Sequence, residues 1–244
     1  MLVFLPSYSL LKNCVEDWTK SDTISPSVLH RLELSKNKVI VEPTGSQEAF
    51  EDAKAEYNES IRLHGNCVLL AVYRGKMSEG VSFNDDFARA VICVGLPLPN
   101  YGDRAITAKR AYNDEQRLLR KRTDLLPGDE WYKQQAYRAL AQALGRCIRH
   151  STDYGIVVLM DSRHCHDNFM HFGDGRVCQA HKNLPKWMRL HVRNLSRNKN
   201  QCMNVQVRVE CVLATFFSCA DYALFCLVIK IDDILAFVFF VLMS

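Results

Sequence analysis

The sequence lacks several features that would place it in a specialised class of protein. Its formal net charge is only +4 over 244 residues, and its ten cysteines include no Cys-x-x-Cys pair. Charged residues interrupt every hydrophobic run before it reaches the roughly 20 residues of a spanning helix. The opening "MLVFLPSYSLLKNC" has no basic segment of the kind that begins a signal peptide. We therefore expect reduced thiols in a nuclear or cytosolic protein.

The composition is sufficient for a packed core, because 48% of the residues are hydrophobic and 24% are charged. Short apolar runs alternate with segments whose apolar residues recur at helical spacing. This alternation predicts an α/β fold with a mostly parallel sheet, in which ligands bind beyond the carboxyl ends of the strands. Ser7, Ser46 and Asp129 are the predicted helix N-caps. The predicted strands are 1–7, 38–43, 66–74, 89–99 and 154–163, and the predicted helices are 7–20, 46–63, 103–122 and 125–150.

A glycine-containing segment, "YRGKMSEGVSFNDD", follows the third predicted strand. Gly75 and Gly80 allow close approach of the backbone and a positive φ. The segment resembles a phosphate-binding loop, but it does not have the G-x-x-x-x-G-K-[ST] spacing of a Walker A motif. An ordinary strand-to-helix turn with a basic flank explains the same residues.

A second candidate site is a polar stripe in the predicted helix 125–150. Gln142, Arg146 and Arg149 are spaced i, i+4 and i+7, which places them on one face of a helix. Guanidinium groups bind phosphate through a planar fork of donors, so the stripe is a candidate anion site. A solvated helix face is the alternative. The opposite face is predicted to be core: Leu140, Ala143, Leu144 and Cys147.

The last third of the chain differs in composition from the first two thirds. Residues 164–201 are polar and basic and are predicted to be loop-like. Their histidines and cysteines match no standard zinc spacing, so we expect no metal there. Residues 202–244 are mostly apolar, which leaves three interpretations: a membrane anchor, a terminal core element, or translated sequence that was never selected as protein. The charged residues Asp221, Lys230, Asp232 and Asp233 argue against a spanning helix.

Three segments together resemble a known family. "VFLPSYSLLKNCVEDW", "RGKMSEGVSF" and "QALGRCIRH" are similar to helicase motifs IV, V and VI, and "GDEWYKQQAYRA" precedes the last of them. In this order they resemble the second motor domain of XPD-like superfamily 2 DNA helicases, in the Fanconi anaemia J-type branch. The resemblance implies a RecA-like (P-loop NTPase-like) domain over residues 1–163. A polar and basic extension over 164–201 and a non-homologous hydrophobic tail over 202–244 would follow it.

The resemblance also implies roles for individual residues. ATP with Mg²⁺ would bind between two RecA-like domains, with Arg149 as arginine finger, Arg146 as a second phosphate contact and Gln142 positioning both. Ser82 stands where the family commonly has an aspartate, and a serine holds a ribose more weakly than a carboxylate does. The implied nucleotide-binding residues are Gly75, Glu79, Gly80, Ser82 and Gly145. The implied DNA-binding residues are Ser7, Tyr8, Arg74, Lys76 and Ser78.

The sequence contains no Walker A motif, DEAH box or four-cysteine iron–sulfur module, which the family carries in its first motor domain. We therefore expect no helicase activity from this chain unless a first motor domain is supplied in cis or in trans. The resemblance implies that the whole protein is a nuclear 5′–3′ DNA helicase in genome maintenance that acts on single-stranded DNA or DNA junctions. The alternatives are a non-catalytic nucleic-acid-binding or regulatory fragment and, from the tail alone, a membrane-anchored protein.

Overall fold

The computed structural model describes most of the first two thirds of the chain and parts of the remainder. The described residues are 1–20, 26–80, 83, 87–148, 154–164, 169–172, 175–189, 192–194 and 225–229. The strands are β1 (Leu2–Leu5), β2 (Val39–Val41), β3 (Val68–Val72), β4 (Ala90–Val94), β5 (Ile156–Met160), β6 (Phe169–Phe172), β7 (Gly175–Cys178), β8 (Val192–Asn194) and β9 (Phe225–Ile229). The helices are α1 (Tyr8–Thr19), α2 (Val28–Lys36), α3 (Gln47–His64), α4 (Lys76–Gly80), α5 (Arg104–Leu119), α6 (Gly128–Leu144) and α7 (Lys186–Arg189), and two 3₁₀ helices cover Ser162–His164 and Gln179–Asn183.

The described strands form a parallel sheet of seven strands in the order β2-β3-β1-β4-β5-β9-β8, and a separate antiparallel hairpin pairs β6 with β7. At the centre, Phe4 of β1 is in register with Ala71 of β3 and with Cys93 of β4. The crossovers between the central strands contain helices, as parallel connections require. This architecture confirms the predicted RecA-like α/β fold.

The core lies on both faces of the sheet, because alternate residues of a strand point to opposite sides. Leu2 and Phe4 of β1 belong to one buried cluster, which also contains residues of α3 and α6. Val3 and Leu5 belong to the other, which α1 and α2 cover with Leu11, Trp18 and Leu32. The core face predicted for the helix 125–150 is confirmed as buried, although Cys147 lies in the turn after α6. Its four residues are Leu140, Ala143, Leu144 and Cys147.

Two of the three predicted helix caps are confirmed. Ser7 accepts a hydrogen bond from the Leu10 amide and Ser46 from the Ala49 amide, each at 3.2 Å. The prediction for Asp129 is wrong, because Pro127 is the N-cap of α6 and has no side-chain cap bond. Asp129 instead forms an ion pair with Arg110 of α5.

Several elements differ from the sequence-based expectation. Patterning predicted no element at α2, whose nine residues bury only Leu32 completely. Residues 164–201, predicted to be loop-like, contain the β6–β7 hairpin, a 3₁₀ helix, α7 and β8. Helix α6 ends at Leu144 rather than continuing to residue 150, and i→i−3 hydrogen bonds tighten the chain after it.

Part of the hydrophobic tail lies in the sheet. Its described residues, Phe225–Ile229, form β9 between β5 and β8. An apolar strand in that position is what the terminal-core-element interpretation expects. Among the described residues, no helix has both the length and the apolar character needed to cross a membrane. The domain boundaries at residues 163 and 201 stay predictions.

Candidate functional site

The candidate site lies where three neighbouring parallel strands end. The chain leaves β1 into Ser7 and Tyr8, leaves β2 into Glu42, and leaves β3 into the segment 73–79. Because these strands are adjacent and parallel, the residues that follow them meet at one edge of the sheet. Two of the three segments belong to the predicted motifs IV and V.

Residues 73–79, called here the motif V loop, form a tight turn and then the first residues of α4. The Gly75 amide donates to the Val72 carbonyl at 2.9 Å, and the Ser78 hydroxyl donates to the Gly75 carbonyl at 2.8 Å. Arg74 has a positive φ of 59°, whereas Gly75 does not. Arg74 rather than Gly75 therefore occupies the left-handed region, which is strained for a residue with a Cβ atom.

Glu42 is a site residue that sequence analysis missed. Its side chain is buried, with 2% exposure, and its carboxylate accepts hydrogen bonds from the Val72 amide (2.7 Å), the Met77 amide (3.0 Å) and the Tyr8 hydroxyl (3.0 Å). Its position next to the last residue of the predicted strand 38–43 was the available signal. It thus joins the end of β2 to motif IV and to the motif V loop.

A cavity of about 390 Å³ separates the motif V loop from the end of α6. Motif V and motif VI, which are about 70 residues apart in sequence, meet across it. Five of the predicted site residues on its wall have charged or hydrogen-bonding side chains, and they come from both motifs. The cavity is lined by Tyr73, Arg74, Ser78, Glu79, Ala139, Gln142, Ala143, Gly145 and Arg146.

The polar stripe of α6 is only partly helical. Gln142 is in α6, and Gly145 is the C-cap of that helix. Arg146 follows in a turn, where the Arg146 amide donates to the Ala143 carbonyl at 3.1 Å. The prediction that the stripe lies on one continuous helix is therefore wrong at Arg146. Both Gln142 and Arg146 nonetheless line the cavity. Arg149 and Ser82 lie outside the described residues.

The residues assigned to DNA occupy different surroundings. The Ser7 hydroxyl caps α1, and the Lys76 ammonium group lies 3.4 Å from the Gly45 carbonyl oxygen. Ser78 is buried on the cavity wall, and the Arg74 guanidinium donates to the Gln135 carbonyl of α6. Tyr8 is 38% exposed. Gly80, assigned to the nucleotide, is the last residue of α4.

Two tyrosines at the site stay protonated at neutral pH. Burial, together with the charge and hydrogen bond of Glu42, raises the pKa of Tyr8 to about 12. Burial raises the pKa of Tyr73 well above its ordinary value, and the Tyr73 hydroxyl donates to the Gly95 carbonyl at 3.3 Å. Both phenols therefore act as hydrogen-bond donors.

The described side chains do not assemble a metal site. No group of three or more His, Cys, Asp and Glu residues in the described part of the chain is placed to hold a metal ion. Among the described residues that line the cavity, Glu79 is the one carboxylate. Cys14, Cys67 and Cys93 are free thiols. These residues do not fit an iron–sulfur cluster or a complete Mg²⁺ site.

Comparison with known proteins identifies the family. A family model described as the helicase C-terminal domain matches residues 1–172. The chain belongs to this family. It is 46% identical over 167 residues to the Fanconi anemia group J protein homolog of Gallus gallus. The aligned region covers 67% of this chain and 13% of that protein. It is 40% identical over 192 residues to the Regulator of telomere elongation helicase 1 homolog of Drosophila persimilis. Here the aligned region covers 79% of this chain and 17% of that protein.

These similarities confirm the predicted relationship to XPD-like helicases of the Fanconi anaemia J type. The helicase C-terminal domain thus has a DNA helicase-related function at the level of the family. The chain spans 13% to 17% of the length of these relatives.

Proposed function

We propose that this chain is the second motor domain of an ATP-dependent DNA helicase that moves 5′–3′ along single-stranded DNA in the nucleus. The observation that carries the proposal is the cavity of about 390 Å³ between the motif V loop and the end of α6. It lies at the carboxyl edge of the parallel sheet, where α/β proteins bind ligands. Membership of the helicase C-terminal family supports the same assignment.

The wall of the cavity has the chemistry that a triphosphate requires. Arg74 and Arg146 line it with guanidinium groups, and Gln142 and Ser78 add uncharged hydrogen-bonding groups. We assign Arg146 to a phosphate contact, Gln142 to its positioning, and the backbone at Gly75, Gly80 and Gly145 to close approach of the nucleotide. Glu79 and Ser82 would contact the nucleotide from motif V.

Arg149 is assigned as the arginine finger through its position in motif VI, three residues after Arg146. A guanidinium group stabilises the charge that develops on the transferring phosphoryl group, and an arginine finger contributes about 10³- to 10⁵-fold in rate. The remaining parts of the reaction, a phosphate-binding lysine and carboxylates for Mg²⁺, would come from a first motor domain in cis or in trans.

The DNA strand is assigned to the surface beside the cavity. Ser7 and Tyr8 begin α1, and Lys76 begins α4 at the same edge of the sheet. Exposed cations and hydroxyls bind the phosphate backbone without reading sequence, and aromatic rings stack on bases. This surface suits single-stranded DNA or the single-stranded part of a junction.

The proposal is tested by ATP hydrolysis with the first motor domain of a relative supplied in trans. We expect no hydrolysis by the purified 244-residue chain and DNA-stimulated hydrolysis by the mixture. Arg149→Ala should lower the rate of the mixture by about 10³-fold or more. Arg138→Ala is the matched control, because Arg138 is an exposed arginine of α6 that lines a different cavity.

Two results would contradict the proposal. Strong DNA-stimulated hydrolysis by the chain alone would show that it does not need a first motor domain. Binding of single-stranded DNA with a steep salt dependence, together with no response to ATP in the mixture, would favour the non-catalytic nucleic-acid-binding module.

A further inference from the structure

Glu42 is held by donors from three separate segments of the chain. Its Oε2 atom accepts from the Val72 amide at 2.7 Å, and its Oε1 atom accepts from the Met77 amide at 3.0 Å and from the Tyr8 hydroxyl at 3.0 Å. The side chain is 2% exposed. A buried carboxylate is stable only when such hydrogen bonds replace its hydration.

The motif V loop lies directly against this carboxylate. A Cβ atom added at Gly75 would lie 2.6 Å from Glu42 Oε2 and 2.9 Å from Glu42 Cδ, both closer than Cβ atoms approach in proteins. The backbone at Gly75 therefore has no room to shift toward Glu42. A displacement of the carboxylate therefore changes both this packing and the hydrogen bond from the Met77 amide of the loop.

The contact with Tyr8 brings this network to the surface. Tyr8 is 38% exposed, so its ring is accessible while its hydroxyl reaches the buried carboxylate. The other donors to Glu42 are the backbone amides of Val72, which directly precedes the motif V loop, and of Met77 within it. One side of the network therefore faces solvent at the start of α1, and the other side contacts a loop that lines the cavity.

We propose that Glu42 is a positioning residue that couples Tyr8 to the motif V loop, so that a nucleic-acid strand that displaces Tyr8 also changes the loop on the cavity wall. The inference rests on the proposed function, since it takes Tyr8 to face the DNA. It adds a residue outside motifs IV, V and VI, and it gives a physical route from the DNA surface to the nucleotide cavity.

The chemistry requires a carboxylate at this position. Both oxygens of Glu42 accept hydrogen bonds, and all the groups that the structure places against them are donors. Glutamine has one acceptor oxygen and an NH₂ group, so it would direct a donor at one of the backbone amides. Glu42→Gln therefore breaks one side of the network at nearly constant volume.

The test is hydrogen exchange of the full 244-residue chain with and without an oligothymidylate strand, followed in peptides that contain residues 72–79. In the wild type, binding of the strand should change the exchange rate of the Met77 amide by about threefold or more. Tyr8→Phe keeps the ring and removes the hydroxyl, so the Met77 response should be lost when the variant is compared with the wild type at saturating strand concentrations. Glu42→Gln should lose the response as well.

Tyr112→Phe is the matched control, because Tyr112 is an exposed tyrosine of α5 outside this network, and its response should equal that of the wild type. Tyr8→Phe decides the outcome if Glu42→Gln fails to fold. A Met77 response that persists in Tyr8→Phe overturns the coupling and leaves the proposed function intact. A wild-type chain that does not bind the strand overturns the DNA-facing part of the proposed function, and the coupling with it.

Discussion

Arg74 shows how a single residue at the site combines an unfavourable backbone with a favourable contact. Its φ of 59° is in the left-handed region, which costs a residue with a Cβ atom roughly 1 to 2 kcal/mol. Its guanidinium donates to the Gln135 carbonyl and so ties the motif V loop to α6. This hydrogen bond contributes favourably against the cost of the turn.

Two substitutions at Arg74 separate these effects. Both Arg74→Ala and Arg74→Gly lose the contact with Gln135, but only glycine removes the backbone strain. We expect the glycine variant to have a free energy of unfolding about 1 kcal/mol higher than the alanine variant, measured by urea denaturation. At Lys76, which lies in α4, the order should reverse, with glycine about 1 kcal/mol less stable than alanine. The same order at both positions would contradict the strain at Arg74.

For single residues, the sequence predicted contacts between near neighbours along the chain and missed contacts between distant positions. Ser7 and Ser46 cap helices that begin at the next residue, so their role is visible in the local pattern. Gly75 was correctly expected to allow close approach, but its neighbour in space, Glu42, is 33 residues away in sequence. Nothing in a local pattern identifies such a partner.

Helix α5 contacts the first turn of α6, the helix that leads to motif VI. Gly128 begins α6, and a Cβ atom there would lie 2.7 Å from the Arg110 carbonyl oxygen of α5. The Gly128 amide donates to Asp114 Oδ1 at 2.8 Å, so α5 provides the cap that Pro127 cannot. The sequence predicted both helices but assigned the cap to Asp129, because a cap supplied by another helix leaves no local signal.

Asp114→Ala tests this contact. Loss of the only side-chain acceptor that the structure places at the Gly128 amide should lower the free energy of unfolding by about 1 kcal/mol. Glu115→Ala removes a neighbouring exposed carboxylate of α5 and should change it by less than about 0.5 kcal/mol. Equal effects of the two variants in urea denaturation would show that α6 needs no cap from α5.

For the whole molecule, the alternation of apolar and helical segments was sufficient to predict a parallel α/β sheet. The same alternation could not predict the strand order, which places β1 between β3 and β4. The order depends on which crossovers bring helices to each face of the sheet. The same crossovers bring Arg74 and Arg146 to one cavity. The sequence could thus name most residues of the candidate site, whereas only the fold shows that they share a wall.

The central claim is that the cavity between the motif V loop and the end of α6 binds the nucleotide. The most direct measurement is hydrogen exchange of the chain assembled with a first motor domain, with and without a non-hydrolysable ATP analogue. We predict slower exchange in both 73–79 and 139–146, and a loss of this protection in Arg146→Ala but not in Arg138→Ala. Unchanged exchange in both segments while the analogue is bound would contradict the claim.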